Sequence, residues 1–266
     1  MAGSRSRKKV EWLQFGSGKS YFHRVHRPLQ CLIFIVPLLL FYQIASFVHF
    51  SAGPAAASDP GQKQVVAFLL MLDFFKLFGA VGNVLPLLAV IAILMFWHLA
   101  RKDPWDFEPK LYAGMGAESV LWGIPFVVIG MAVSRQGPHP VMAPATTAAT
   151  AAAVNLWSNT VLSVGAGVYE ELLFRLIAIN LLSIMIIDFF ELRPSTGIPL
   201  IIFASAALFS AYHLLVEPFD AGVFVFRAAI GVYLAGIYIY RGFGIAVGAH
   251  AVYDLFVTVL LPWLHR

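Results

Sequence analysis

The chain has 266 residues, of which 60% are apolar and only 12% charged, and its mean hydropathy is +0.80. A soluble domain of this size carries about twice that share of charge, so a water-soluble globule is excluded and the bilayer must form part of the solvent. The single cysteine, Cys31, excludes a disulfide framework and a Cys-based zinc site.

The net charge of +4 is placed for a membrane rather than for nucleic acid. Residues 1–28 form a basic tail in which Arg5, Arg7, Lys8, Lys9, Lys19, Arg24 and Arg27 precede the first apolar run, as on a cytoplasmic flank. The run 29–50 is too long for a secretory signal core and reads as a retained span, although Ala55–Ala57 imitates a cleavage site. The stretch 62–78 is apolar but carries Asp73 and Lys76 three residues apart, the pattern of an interfacial or re-entrant helix.

Further spans read at 79–100 and 111–133. After a linker at 134–153 rich in Pro, Ala and Thr, others read at 158–183, 198–216, 222–240 and 242–264. His139, between two prolines of the linker, reads as solvated. Seven crossings put the N-terminus in the cytoplasm and the C-terminus outside. The basic tail with Arg101, Lys102, Lys110, Arg193 and Arg241 then outweighs Lys63, Lys76, Arg135 and Arg266 on the far side. The expected fold is an all-α polytopic transmembrane bundle, with front spans over 29–133 and a second bundle over 154–266. The expected location is an integral multi-pass position in a bacterial inner membrane.

A charge at mid-bilayer costs on the order of 3 kcal/mol, so intramembrane ionisable residues are suspects for function. They concentrate in the second bundle. In VYEELLFRL, Glu171 and Arg175 are four apart with the acid first, the favourable order for a helical pair, while Glu170 sits about 100° round the helix and stays free. In LFSAYHLL, His213 follows Phe209 by one turn. In GIAVGAHAVYDLF, His250 and Asp254 are again four apart, where a carboxylate orients an imidazole. Gly244 and Gly248 beside them admit a close helix neighbour. Each motif alone has a structural reading: an interhelical clamp, a packing histidine, a His–Asp hydrogen bond.

Depth joins them. Glu170 lies 22 residues before position 192, in the polar turn DFFELRPSTG, and His213 lies 21 after it, so an antiparallel hairpin sets the two face to face. His250, near the middle of its span, fits that level less well. Glu118 and Arg227 also fall within spans, and a mutual pair or a shared cavity is the reading they invite. A free carboxylate facing two imidazoles can take a proton from water. Alternatively Glu170, His213 and His250 could hold a divalent metal such as zinc. Both routes lead to hydrolysis inside the membrane. The chain lacks a His-Glu-x-x-His helix, a Gly-x-Gly-Asp motif and a Gly-x-Ser-x-Gly elbow.

Glu170-Glu171-x-x-x-Arg175, Phe209-x-x-x-His213 and His250-x-x-x-Asp254, in that order over about 155–260, resemble the CPBP family of CAAX proteases and bacteriocin-processing (Abi) enzymes. The resemblance implies an intramembrane endopeptidase acting on a membrane-anchored protein or peptide. Glu170 would be the base, and His213 and His250 would position water, oxyanion or metal. Glu171 and Arg175 would hold the geometry, and Asp254 would orient His250. The rival readings are a non-catalytic CPBP-like scaffold or immunity factor and a proton-coupled transporter, the latter disfavoured by the lack of internal repeats.

Overall fold

A computed structural model describes residues 20–50, 65–134 and 156–264, and every regular element among them is helical. In chain order they are α1 (Tyr21–Arg24), α2 (Pro28–Phe50), α3 (Val66–Leu77), α4 (Leu85–Arg101) and α5 (Pro109–Ser134), followed by α6 (Leu156–Phe189), α7 (Pro194–Leu215), α8 (Ala221–Arg241) and α9 (Phe243–Leu264). Six of them (α2, α5, α6, α7, α8 and α9) are long and apolar enough to cross a membrane, and α4 is a shorter apolar helix. The protein is a helical, multi-pass integral membrane protein. The linker expected at 134–153 lies outside the described residues, apart from Ser134 at the end of α5.

Two spans differ from their sequence-based bounds. The one expected at 79–100 becomes helical only at Leu85, because Gly79 and Gly82 adopt positive φ and Pro86 opens the first turn. The one expected to stop at 183 runs on to Phe189, with π-helical turns at Leu172–Ile179 and Ile184–Phe189. The polar residues at its end begin a turn only at Phe190, where Glu191 takes positive φ. The stretch expected at 62–78 is the short helix α3. It packs Ala67, Phe68 and Met71 inward and carries the exposed Asp73–Lys76 pair, at 2.7 Å, on its outer face.

Small residues bring the bundle's helices close. A Cβ on Gly248 would lie 2.2 Å from Ser119 Oγ, so α5 is the close neighbour that the Gly244/Gly248 step of α9 admits. Gly167 of α6 lies against Ala251 of α9, and Gly231 of α8 against Ala206 of α7. A single residue, Gly242, joins α8 to α9 at φ +89, a conformation that residues with a Cβ rarely adopt.

Charges gather at the end of the bundle formed by α1, the α4–α5 connection and Gly242. Arg24 pairs with Asp106 and Glu108, and Arg27 with Asp106 at 3.2 Å. Glu118, near the start of α5, accepts from Tyr21 Oη at 2.8 Å and Trp122 Nε1 at 2.9 Å, and is clasped by the Arg241 guanidinium. The Arg241 head also lies 4.2 Å over the Phe22 ring. Burial, and after it the Glu118 carboxylate, raise the Tyr21 hydroxyl well above the usual phenol range, so it stays a donor. Glu118 and Arg227 therefore do not pair with each other. Arg227 meets Glu217, at 2.8 Å, at the opposite end of α8.

Candidate functional site

The site is built where α6, α7 and α9 meet. Helix α6 supplies Glu170 and Glu171 at the junction of its α-helical and π-helical parts. A π turn adds a residue to the helical repeat and recurs at functional sites. Here it turns Arg175 inward, so that Glu171 and Arg175 are both fully buried, with Arg175 Nε 3.1 Å from Glu171 Oε2. That contact is an ion pair without hydrogen-bond alignment. The guanidinium also lies 4.6 Å over the ring of Phe209, and Phe209 packs edge-on against Phe174. The phenylalanine of the second motif is thus the platform for the arginine of the first.

Glu171 has a second partner. Its Oε1 accepts from His250 Nδ1 at 2.8 Å, deep in the bundle. The carboxylate that orients the imidazole therefore comes from α6, and not from Asp254 as the helical spacing implied. Asp254 Oδ2 lies instead 3.5 Å from the other ring nitrogen, Nε2. Because Nδ1–H is committed to Glu171, Nε2 faces the gap between Asp254 and Glu170. Glu170 Oε2 is 3.8 Å from it. His250 thus stands level with Glu170 and Glu171, where Gly167 and Ala251 let α6 and α9 approach closely.

The face-to-face meeting expected between Glu170 and His213 is displaced by one residue. The α7 side chain that reaches Glu170 is Tyr212, whose hydroxyl donates to Oε1 at 2.9 Å. The antiparallel count assumed uniform helices, and the π turns of α6 shift its angular register relative to α7. His213 begins the short 3₁₀ turn that ends α7, and its Nδ1 bonds to Phe209 O at 2.8 Å. A carbonyl only accepts, so this bond leaves Nε2 of a neutral His213 as an acceptor. The His213 ring stacks edge-on against Tyr212 at 4.6 Å and Phe209 at 5.1 Å.

Five of the six expected residues thus form one connected set: Glu170, Glu171, Arg175, His250 and Asp254. His213 joins it through the rings of Tyr212 and Phe209. Tyr212 was missed, although it directly precedes a residue placed in the site. Among the described residues no three His, Cys, Asp or Glu side chains stand together as a metal-holding group, so Glu170, His213 and His250 do not fit that role as arranged. Three carboxylates face one arginine and one histidine here. The arrangement can hold a polarised water between a carboxylate and an imidazole.

Residues 152–256 match the family model described as type II CAAX prenyl endopeptidase Rce1-like. This part of the chain is similar to that endopeptidase and is called the Rce1-like domain. No curated protein and no solved structure matches the chain. The Rce1-like domain contains all six expected residues and Tyr212, while α1 to α5 lie outside it. The match supports intramembrane endopeptidase activity in general terms.

Proposed function

We propose that the protein is an intramembrane endopeptidase that cleaves a prenylated, membrane-anchored CAAX-type peptide or protein with a water activated by Glu170. The observation that carries this reading is the 3.8 Å gap between Glu170 Oε2 and His250 Nε2, set between adjacent helices inside the bundle. A water beside this pair, within hydrogen-bond reach of both atoms, gives one proton to Oε2 as its oxygen forms a bond to the scissile carbonyl carbon. The carbonyl π electrons move onto oxygen. A protonated His250, its Nδ1–H held by Glu171, turns Nε2–H toward that oxyanion.

Collapse of the tetrahedral intermediate breaks the C–N bond, and the proton on Glu170 passes to the leaving amine. Glu171 serves both Arg175 and His250, so it is the brace of the site rather than a second base. His213 Nε2 accepts a hydrogen bond from water or from the amine. The excess of Lys and Arg at the end holding α1 and the α4–α5 connection supports a cytoplasmic N-terminus.

The test is cleavage of a farnesylated CAAX peptide by the full chain in proteoliposomes. Glu170→Gln lowers kcat by about 10³-fold, in the range of a lost general base. Cleavage by Glu170→Gln at the wild-type rate refutes the mechanism.

A further inference from the structure

Among the described residues, Tyr212 is the one side chain that hydrogen-bonds to Glu170, from a position left open in Phe209-x-x-x-His213. It is buried, at 8% exposure, and its ring is fixed between Phe174 (5.1 Å between centroids) and His213 (4.6 Å). Its hydroxyl donates to Glu170 Oε1 at 2.9 Å.

The consequence for a carboxylate base is geometric. Oε1 is occupied, the carboxylate plane is held at one end, and Oε2 is left as the oxygen facing His250 across 3.8 Å. Without the tyrosine donor, a carboxylate with a free χ3 is broad in torsion and presents either oxygen.

We propose that Tyr212 is a positioning residue that ties down Oε1 of Glu170, so that Oε2 alone serves as base. The proposal rests on the assignment of Glu170 as the base.

Tyr212→Phe in the full chain removes the hydroxyl and keeps the ring. Its effects are read on a farnesylated CAAX peptide in proteoliposomes and by infrared difference spectroscopy. The expected result is a fall in kcat of about tenfold, the worth of one hydrogen bond to a charged group, with KM within twofold and the thermal midpoint unchanged. The carboxylate band isolated by subtracting the Glu170→Gln spectrum shifts in Tyr212→Phe. An unshifted band, a kcat within twofold of wild type, or a loss carried by KM alone overturns the role of Tyr212. If Glu170→Gln itself cleaves normally, the base assignment fails and this proposal falls with it. That outcome is distinct from a neutral Tyr212→Phe beside an inactive Glu170→Gln.

Discussion

Gly167→Ala is the smallest change that should open the site without touching any of its polar groups. A Cβ at this position would lie 2.8 Å from Ala251 Cβ and 2.9 Å from the Ala251 backbone nitrogen. Ordinary contact begins at 3.4 Å, so α6 and α9 must part locally by about 0.6 Å. Glu171 follows Gly167 by one helical turn, and His250 adjoins Ala251. The 2.8 Å bond between them therefore stretches to about 3.4 Å, outside the normal 2.7–3.2 Å range.

Overpacking costs about 1–3 kcal/mol, and the better helix propensity of Ala returns about 1 kcal/mol. Stability therefore changes little. Orientation changes more, since a misplacement of about 1 Å can cost 10²-fold in rate, and a shift of this size should cost about tenfold. The assay is peptide cleavage in proteoliposomes alongside thermal unfolding. Gly116→Ala and Gly236→Ala, whose added Cβ meets nothing within 4 Å, serve as neutral controls. Wild-type turnover in Gly167→Ala, or an equal loss in the controls, refutes the argument.

Two further outcomes follow from other groups. Glu118→Ala leaves the buried Arg241 guanidinium without its carboxylate, which costs about 3–5 kcal/mol and lowers the thermal midpoint in detergent. Pairing it with Arg241→Leu should recover much of that loss, and a single variant as stable as wild type refutes the pairing. Because Glu170, His213 and His250 do not stand as a metal-holding group, a strong chelator should leave peptide cleavage within twofold. Loss of activity restored by added zinc is the contrary result.

Composition alone placed the chain in the bilayer, since its charge content cannot cover a soluble surface of this size. Helical spacing was enough to pair Glu171 with Arg175, because four residues bring two side chains to one face whatever surrounds them. The same spacing brought Asp254 to 3.5 Å from His250 but could not show the second carboxylate. Spacing says which groups can meet on one helix, and the Glu171 contact that takes His250 Nδ1 comes from another. Tyr212 was hidden by one residue because a π turn leaves no mark in hydrophobic periodicity. The partner of Glu118 was out of reach for a different reason. Arg241 is 123 residues away, and many cations were equally plausible.

That long separation has a consequence during biosynthesis. Tyr21, Glu118 and Arg241 emerge from the ribosome far apart, and Glu118 enters the membrane well before its cation has been made. Until α8 is delivered, α5 holds a carboxylate with only neutral donors, Tyr21 and Trp122, to satisfy it. Arrival of Arg241, one residue before the turn into α9, supplies the missing charge and fastens α1 through Tyr21 and Phe22.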